Sequence, residues 1–146
     1  MTVEVKIRNT SGNALPDYAT KGASGMDIRA HLVQAIELQP MERRLIPTGL
    51  FIELPEGFEA QIRPRSGMAI RQGITCLNTP GTIDSDYRGE IKIVLINLST
   101  EKQVIQPGDR IAQMVVQKVE SVRWMQVELL NETERSEGGF GSTGKN

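Results

Sequence analysis

Cysteine and histidine are almost missing from this chain: one of each, Cys76 and His31, in 146 residues. A single thiol closes no disulfide framework and builds no cysteine zinc site. A single imidazole leaves no histidine metal cage and no His-centred triad, so His31 reads as a surface or strand histidine. Neither sign of charge is in excess: 17 Lys plus Arg against 18 Asp plus Glu give a net charge of -1. That argues against a nucleic-acid partner held nonspecifically on a basic face. Long hydrophobic runs are absent as well. Residues 1–8 alternate polar and apolar, with no basic patch ahead of an apolar stretch, so the expectation is no signal peptide, no membrane span and a cytoplasmic location. Heptads, repeats and low-complexity tracts are also missing. What remains is ordinary soluble composition, 38% hydrophobic and 24% charged, in one domain able to bury roughly two-thirds of its unfolded surface.

Short apolar runs punctuated by Gly and Pro fill most of the chain. Val3, Val5 and Ile7 alternate with Glu4, Lys6 and Arg8, which predicts a half-buried strand over 2–8. Further runs recur at Met26–Ala30, Val33–Leu38, Arg44–Leu54, Phe58–Ile62, Ile74–Leu77, Ile91–Leu98, Lys102–Ile105, Arg110–Val119 and Trp124–Leu129. Many short strands with such spacing indicate an all-β sandwich or barrel. The nearly continuous run Ile91–Ile96 suits a strand covered on both faces, the second cover being another subunit. Ser66–Arg71 is the candidate for a single short helix, with Ser66 as N-cap after an extended Pro64-Arg65. Such a start serves either as a plain cap beside a surface arginine or as a phosphate site.

Asn78–Ile91 carries the most chemistry. Pro80-Gly81 and Arg88-Gly89 offer turns with φ > 0, and Thr82 and Ile83 favour strand, so a short bent hairpin is expected. It would hold Asp84 and Tyr87 rigidly, as a pocket for a flat heterocycle and its sugar or simply as a solvated turn. From Asn131 to Asn146 the chain has four glycines, no aliphatic residue and one aromatic, Phe140. This arm, set apart from a 1–130 β domain, is mobile when free. It either has no specific role or wraps phosphates with Arg135, Ser142 and Thr143 while Phe140 stacks on a base.

Five segments in order resemble the homotrimeric dUTP pyrophosphatases (dUTPases): Gly22–Ile28, Pro64–Ala69, Gly81–Glu90, Gly108–Gln113 and Arg135–Ser142. The resemblance covers the chain from residue 22 almost to its end. It implies a β jelly-roll subunit with one short helix, in a homotrimer whose three active sites are each built from all three chains. The implied reaction hydrolyses dUTP to dUMP and pyrophosphate with Mg²⁺ on the triphosphate, keeping uracil out of DNA and supplying dUMP for thymidylate synthesis. Asp84 would then be the general base and Tyr87 the platform under the deoxyribose. Asn78, Gly81, Thr82 and Ile83 would read the uracil edge, helped by the segment around Lys92. Arg65, Ser66, Gly67 and Gln113 would hold phosphates. Arg135, Gly141, Ser142 and Thr143 would close over the γ-phosphate, with Phe140 over the base. No side chain is implied as a direct metal ligand; Asp27 either supports Mg²⁺ through water or fixes hydrogen bonds at a strand end. Two positions depart from the family pattern, Ser136 where glycine is frequent and Met26 where an aromatic or aliphatic residue is common. Two rivals remain. A dCTP deaminase of the same fold would place a catalytic glutamate where Val94 stands, and Ile91–Leu98 has no acidic residue. A non-catalytic nucleotide-binding module would not need to keep both a base and a lid.

Overall fold

The structure, a computed structural model, describes residues 2–144. Regular structure begins with β1 (Lys6–Asn9), β2 (Met26–Arg29), β3 (Ile36–Leu38), β4 (Arg43–Glu53) and β5 (Phe58–Arg63). A single helix, α1 (Ser66–Gln72), precedes β6 (Ile74–Cys76), β7 (Gly81–Ile83), β8 (Ile91–Asn97), β9 (Gln103–Ile105) and β10 (Arg110–Lys118). Two four-stranded antiparallel sheets, ordered β1-β4-β8-β6 and β2-β10-β5-β7, and a β3-β9 pair form the all-β jelly roll. The first strand is shorter than the alternation over 2–8 suggests, but its inward and outward faces alternate as expected.

The core is aliphatic: Ile28, Leu38, Ile46, Ile74, Ile93, Leu95, Ile105 and Ile111 are all sealed from water. Two polar side chains share this interior, and both are satisfied. The Asn97 amide donates to the carbonyls of Leu38 (2.9 Å) and Glu101 (2.8 Å) while its oxygen accepts from Ser99. The Thr48 hydroxyl donates to the Ile91 carbonyl at 2.5 Å. Pairing at burial is the condition under which such groups do not penalise the core. Burial also pushes the Cys76 thiol up to about 11. Native protein is therefore expected to resist iodoacetamide at pH 8 and to label once unfolded, because the thiolate is the nucleophile. Rapid native labelling would show that the β6 region opens readily.

Four expectations need correction. Residues 78–91 do not form a hairpin: β7 pairs with β5 (Ile62 opposite Gly81), whereas β8 pairs with β4 and β6. The segment is a link from one sheet to the other. Neither Gly81 nor Gly89 takes positive φ. Gly89 is required for a different reason, since a Cβ there would lie 2.3 Å from the Tyr87 hydroxyl and 2.6 Å from its ring carbon. At α1 the cap is Arg65, extended at φ −94 and ψ 129, and Ser66 is the first helical residue with no side-chain cap. The helix ends at Gly73, whose φ of 65° is the left-handed stop that glycine allows at no steric cost. Lastly, Trp124–Leu129 is not a strand in this chain: regular structure ends at Lys118, and Trp124, Met125, Leu129 and Leu130 are exposed. Apolar alternation makes a strand only where an edge is available to pair with, and no edge among the described residues receives it.

Candidate active site

The link between the two sheets walls a cleft of about 370 Å³. Asn78, Gly81, Thr82, Ile83, Asp84, Tyr87 and Lys92 line it, every residue expected near a base and sugar except Phe140. Leu45, Ile62, Ile91, Ile93 and Val94 add apolar wall, and Glu90 joins them. Pairing of β7 with β5 holds the backbone of Gly81–Ile83 along one side. The Tyr87 N–H donates to the Asp84 carbonyl at 3.2 Å, and the Tyr87 hydroxyl to the Glu90 carbonyl at 3.0 Å. The ring thus lies across Gly89, fixed at both ends. Asp84 is exposed, and among the described residues its carboxylate has no hydrogen-bond or ion-pair partner. A carboxylate in that state is an available proton acceptor. Lys92 stands 3.8 Å from Glu90.

A second cluster forms where β2, β10 and the chain leaving β5 meet. Asp27 accepts from Arg65 Nε at 2.9 Å and from Arg110 at 3.2 Å, one arginine on each carboxylate oxygen. Arg65 also donates to the Arg110 carbonyl at 3.2 Å. Gln113, directly opposite Asp27 in the β2–β10 register, donates to the Pro64 carbonyl at 3.1 Å. Gly25 leaves the space for it, since a Cβ there would come within 2.6 Å of the Gln113 Oε1. Asp27 is a mid-strand residue and not a strand-end one. Gly67 lies beneath the Arg71 guanidinium, 2.5 Å from where its Cβ would be.

Arg110 was not among the expected site residues. Counted at strict period two from Gln113, it belongs to the opposite face of β10. The irregularity between Arg110 and Ala112 shifts the register so that Arg110 faces Arg29, which shares a face with Asp27. The only advance signal was its place inside the Gly108–Gln113 segment.

The arm is not brought to either cluster. Arg135 Nε donates to the Gly138 carbonyl at 2.7 Å, Ser142 N–H to Gly139, and Ser136 to Thr133. Every hydrogen bond of residues 132–144 among the described residues stays within the arm, and Phe140, Gly141 and Thr143 are open or nearly so. Ser136 has a φ of 41°, the left-handed region that explains why glycine suits this position. Residues 145 and 146 of the expected arm lie outside the described residues. Among those described, no helix is long and apolar enough to cross a membrane.

Comparison with known proteins bears on the family and the fold. The dUTPase family pattern matches residues 12–144. The deoxyuridine 5′-triphosphate nucleotidohydrolase of Cytophaga hutchinsonii is 61% identical over 99% of this chain and 94% of its own. That of Finegoldia magna is 58% identical over 97% and 99%. Among solved structures, a point mutant of the Staphylococcus bacteriophage 80alpha dUTPase with dUpNHpp superposes with a TM-score of 0.89 at 25% identity, covering 99% of this chain and all (100%) of that one. With a family match over nearly its whole length and full-length bacterial relatives well above half identical, the chain belongs to the dUTPase family.

Proposed function

We propose that this protein hydrolyses dUTP to dUMP and pyrophosphate. The observation that supports the reading is the Asp84 carboxylate, unpartnered among the described residues, in a cleft that a fixed tyrosine ring also lines. Uracil lies against the Gly81–Ile83 backbone and Asn78, with Lys92 at the cleft's side. Cytosine offers a donor where uracil offers an acceptor, which leaves buried groups mispaired and discriminates strongly. Tyr87 stacks beneath the deoxyribose and leaves no room for a 2′-hydroxyl. Asp84 accepts a proton from the water that forms a bond to the α-phosphorus; the bond to the bridging oxygen breaks, and pyrophosphate leaves with it. Arg65, Ser66, Gly67 and Gln113 hold the phosphates, joined by Arg110.

Mg²⁺ fits this donor set as a companion of the triphosphate. Among the described residues no three His, Cys, Asp or Glu side chains converge on one point, and this ion keeps waters and binds largely through substrate phosphates. Asp27 would reach it through water. When bound, the ion draws charge from the phosphate oxygens and fixes their arrangement.

One chain does not complete the site. Its arginine corner lines no part of the cleft, its arm bonds only to itself among the described residues, and Leu129 and Leu130, each worth about 1.5–3 kcal/mol when buried, remain exposed on it. A homotrimer with shared sites, in which residues 119–130 find cover on a neighbour and 131–146 close over a neighbour's cleft, accounts for both. The reading places the enzyme with the cytoplasmic nucleotide pool, where it would keep uracil from DNA and feed dUMP to thymidylate synthesis.

Purified protein with Mg²⁺ is to be given dUTP, dCTP, dTTP and UTP separately. Pyrophosphate and dUMP from dUTP alone are expected; deaminated product from dCTP, or no product from any, would overturn the proposal. Tyr87→Ala is expected to raise the turnover of UTP relative to dUTP, and an unchanged ratio would remove the tyrosine from sugar selection.

A further inference from the structure

The register of β4 against β8 shifts between Pro47 and Leu50. At this kink Gly49 has a φ of 69°, and a Cβ there would lie 2.8 Å from the Ser11 nitrogen. Its carbonyl accepts from the Thr10 N–H at 2.8 Å. Its own N–H, which the kink removes from the strand ladder, donates to Glu90 Oε1 at 2.9 Å across 41 residues of sequence. The other Glu90 oxygen faces Lys92 at 3.8 Å, and its side chain is only 22% exposed. The Glu90 carbonyl is the acceptor that holds the Tyr87 hydroxyl. One residue therefore meets the β4 kink and Lys92 with its side chain, and the tyrosine platform with its main chain. A solvated surface glutamate has no such partners.

We infer that Glu90 is a positioning residue for sugar selection: its carboxylate anchors the link between the sheets to Gly49 and so sets where the Tyr87 ring stands. Thr48 reinforces the same joint by donating to the Ile91 carbonyl and accepting from the Leu50 N–H. The essential element is an acceptor for Gly49. Lys92 is held by charge as well, and the two contributions are separable.

The inference rests on Tyr87 being the sugar platform, so kcat and KM for dUTP and UTP are compared across Tyr87→Ala, Glu90→Ala and Glu90→Gln. Glu90→Ala is expected to lower dUTP-over-UTP discrimination by about tenfold, a loss typical of a displaced contact. Glu90→Gln, whose amide oxygen still accepts the Gly49 N–H, should keep the native ratio. If Tyr87→Ala leaves the ratio unchanged, the platform reading fails and takes this inference with it. If Tyr87→Ala lowers the ratio and Glu90→Ala does not, or if Glu90→Gln falls as far as Glu90→Ala, the role of Glu90 alone is overturned. Should Glu90→Ala not fold, the Gly49 amide proton resonance decides. That proton should be protected from exchange with solvent in the native protein and in Glu90→Gln alike; rapid native exchange overturns the anchor.

Discussion

Asp84→Asn is expected to lower kcat for dUTP by about 10²–10⁴-fold, the usual contribution of a positioned general base, with KM close to native. The amide has the same shape and cannot take the proton of the attacking water. Structural loss is not a competing explanation here. The Asp84 contact that holds the link is its backbone carbonyl, which accepts from Tyr87 and survives the substitution. Among the described residues the carboxylate itself has no partner to lose. The thermal midpoint should therefore stay within a degree or so of native, since surface changes without partners are close to neutral. A single-turnover assay beside a melting curve checks both halves. Near-full turnover would leave Asp84 as a turn residue.

Removing residues 132–146 is expected to abolish measurable turnover and leave a folded oligomer. The arm makes its hydrogen bonds with itself, and Phe140 is fully open at 115% exposure. Its loss consequently uncovers none of the aliphatic core. What disappears is the proposed closing element: the guanidinium of Arg135, the hydroxyls of Ser142 and Thr143, and the ring. Lids of this kind exclude water and complete a catalytic arrangement. Sedimentation should report an unchanged assembly, and the melting curve should match native. A truncated enzyme with full activity would contradict the closing role, while a truncated chain that falls apart would relocate the arm's importance to assembly.

Local signals in the sequence translated well into local structure. Period-two alternation located β1, and Gly- and Pro-bounded runs located β2 to β5, β8 and β10 to within a few residues. The extended entry into a lone helix was legible too, with the cap at Arg65 in place of Ser66. Pairing was less legible. Nothing local says that Gly81–Ile83 turns to β5 while Ile91–Asn97, eight residues later, belongs to the other sheet. The same limit hid Arg110, whose face is decided by a single irregularity in register. Gly89 was recognisable as special, but the cause is an aromatic ring lying on it, a tertiary fact no φ preference encodes. Trp124–Leu129 shows the opposite failure: the pattern for a strand is present and no described strand pairs with it.

Asp27, held between two guanidinium groups, gives the arginine corner its own anion before any ligand arrives. Each guanidinium still has N–H groups to offer, but a phosphate held here, as proposed, would meet two positive charges already half offset by one negative. Orthophosphate, bringing few contacts, would gain little from so reduced a charge. A triphosphate attached to a base and sugar would make contacts elsewhere at the same time, and those would carry its binding. Before any ligand arrives, the carboxylate keeps the two arginines in register.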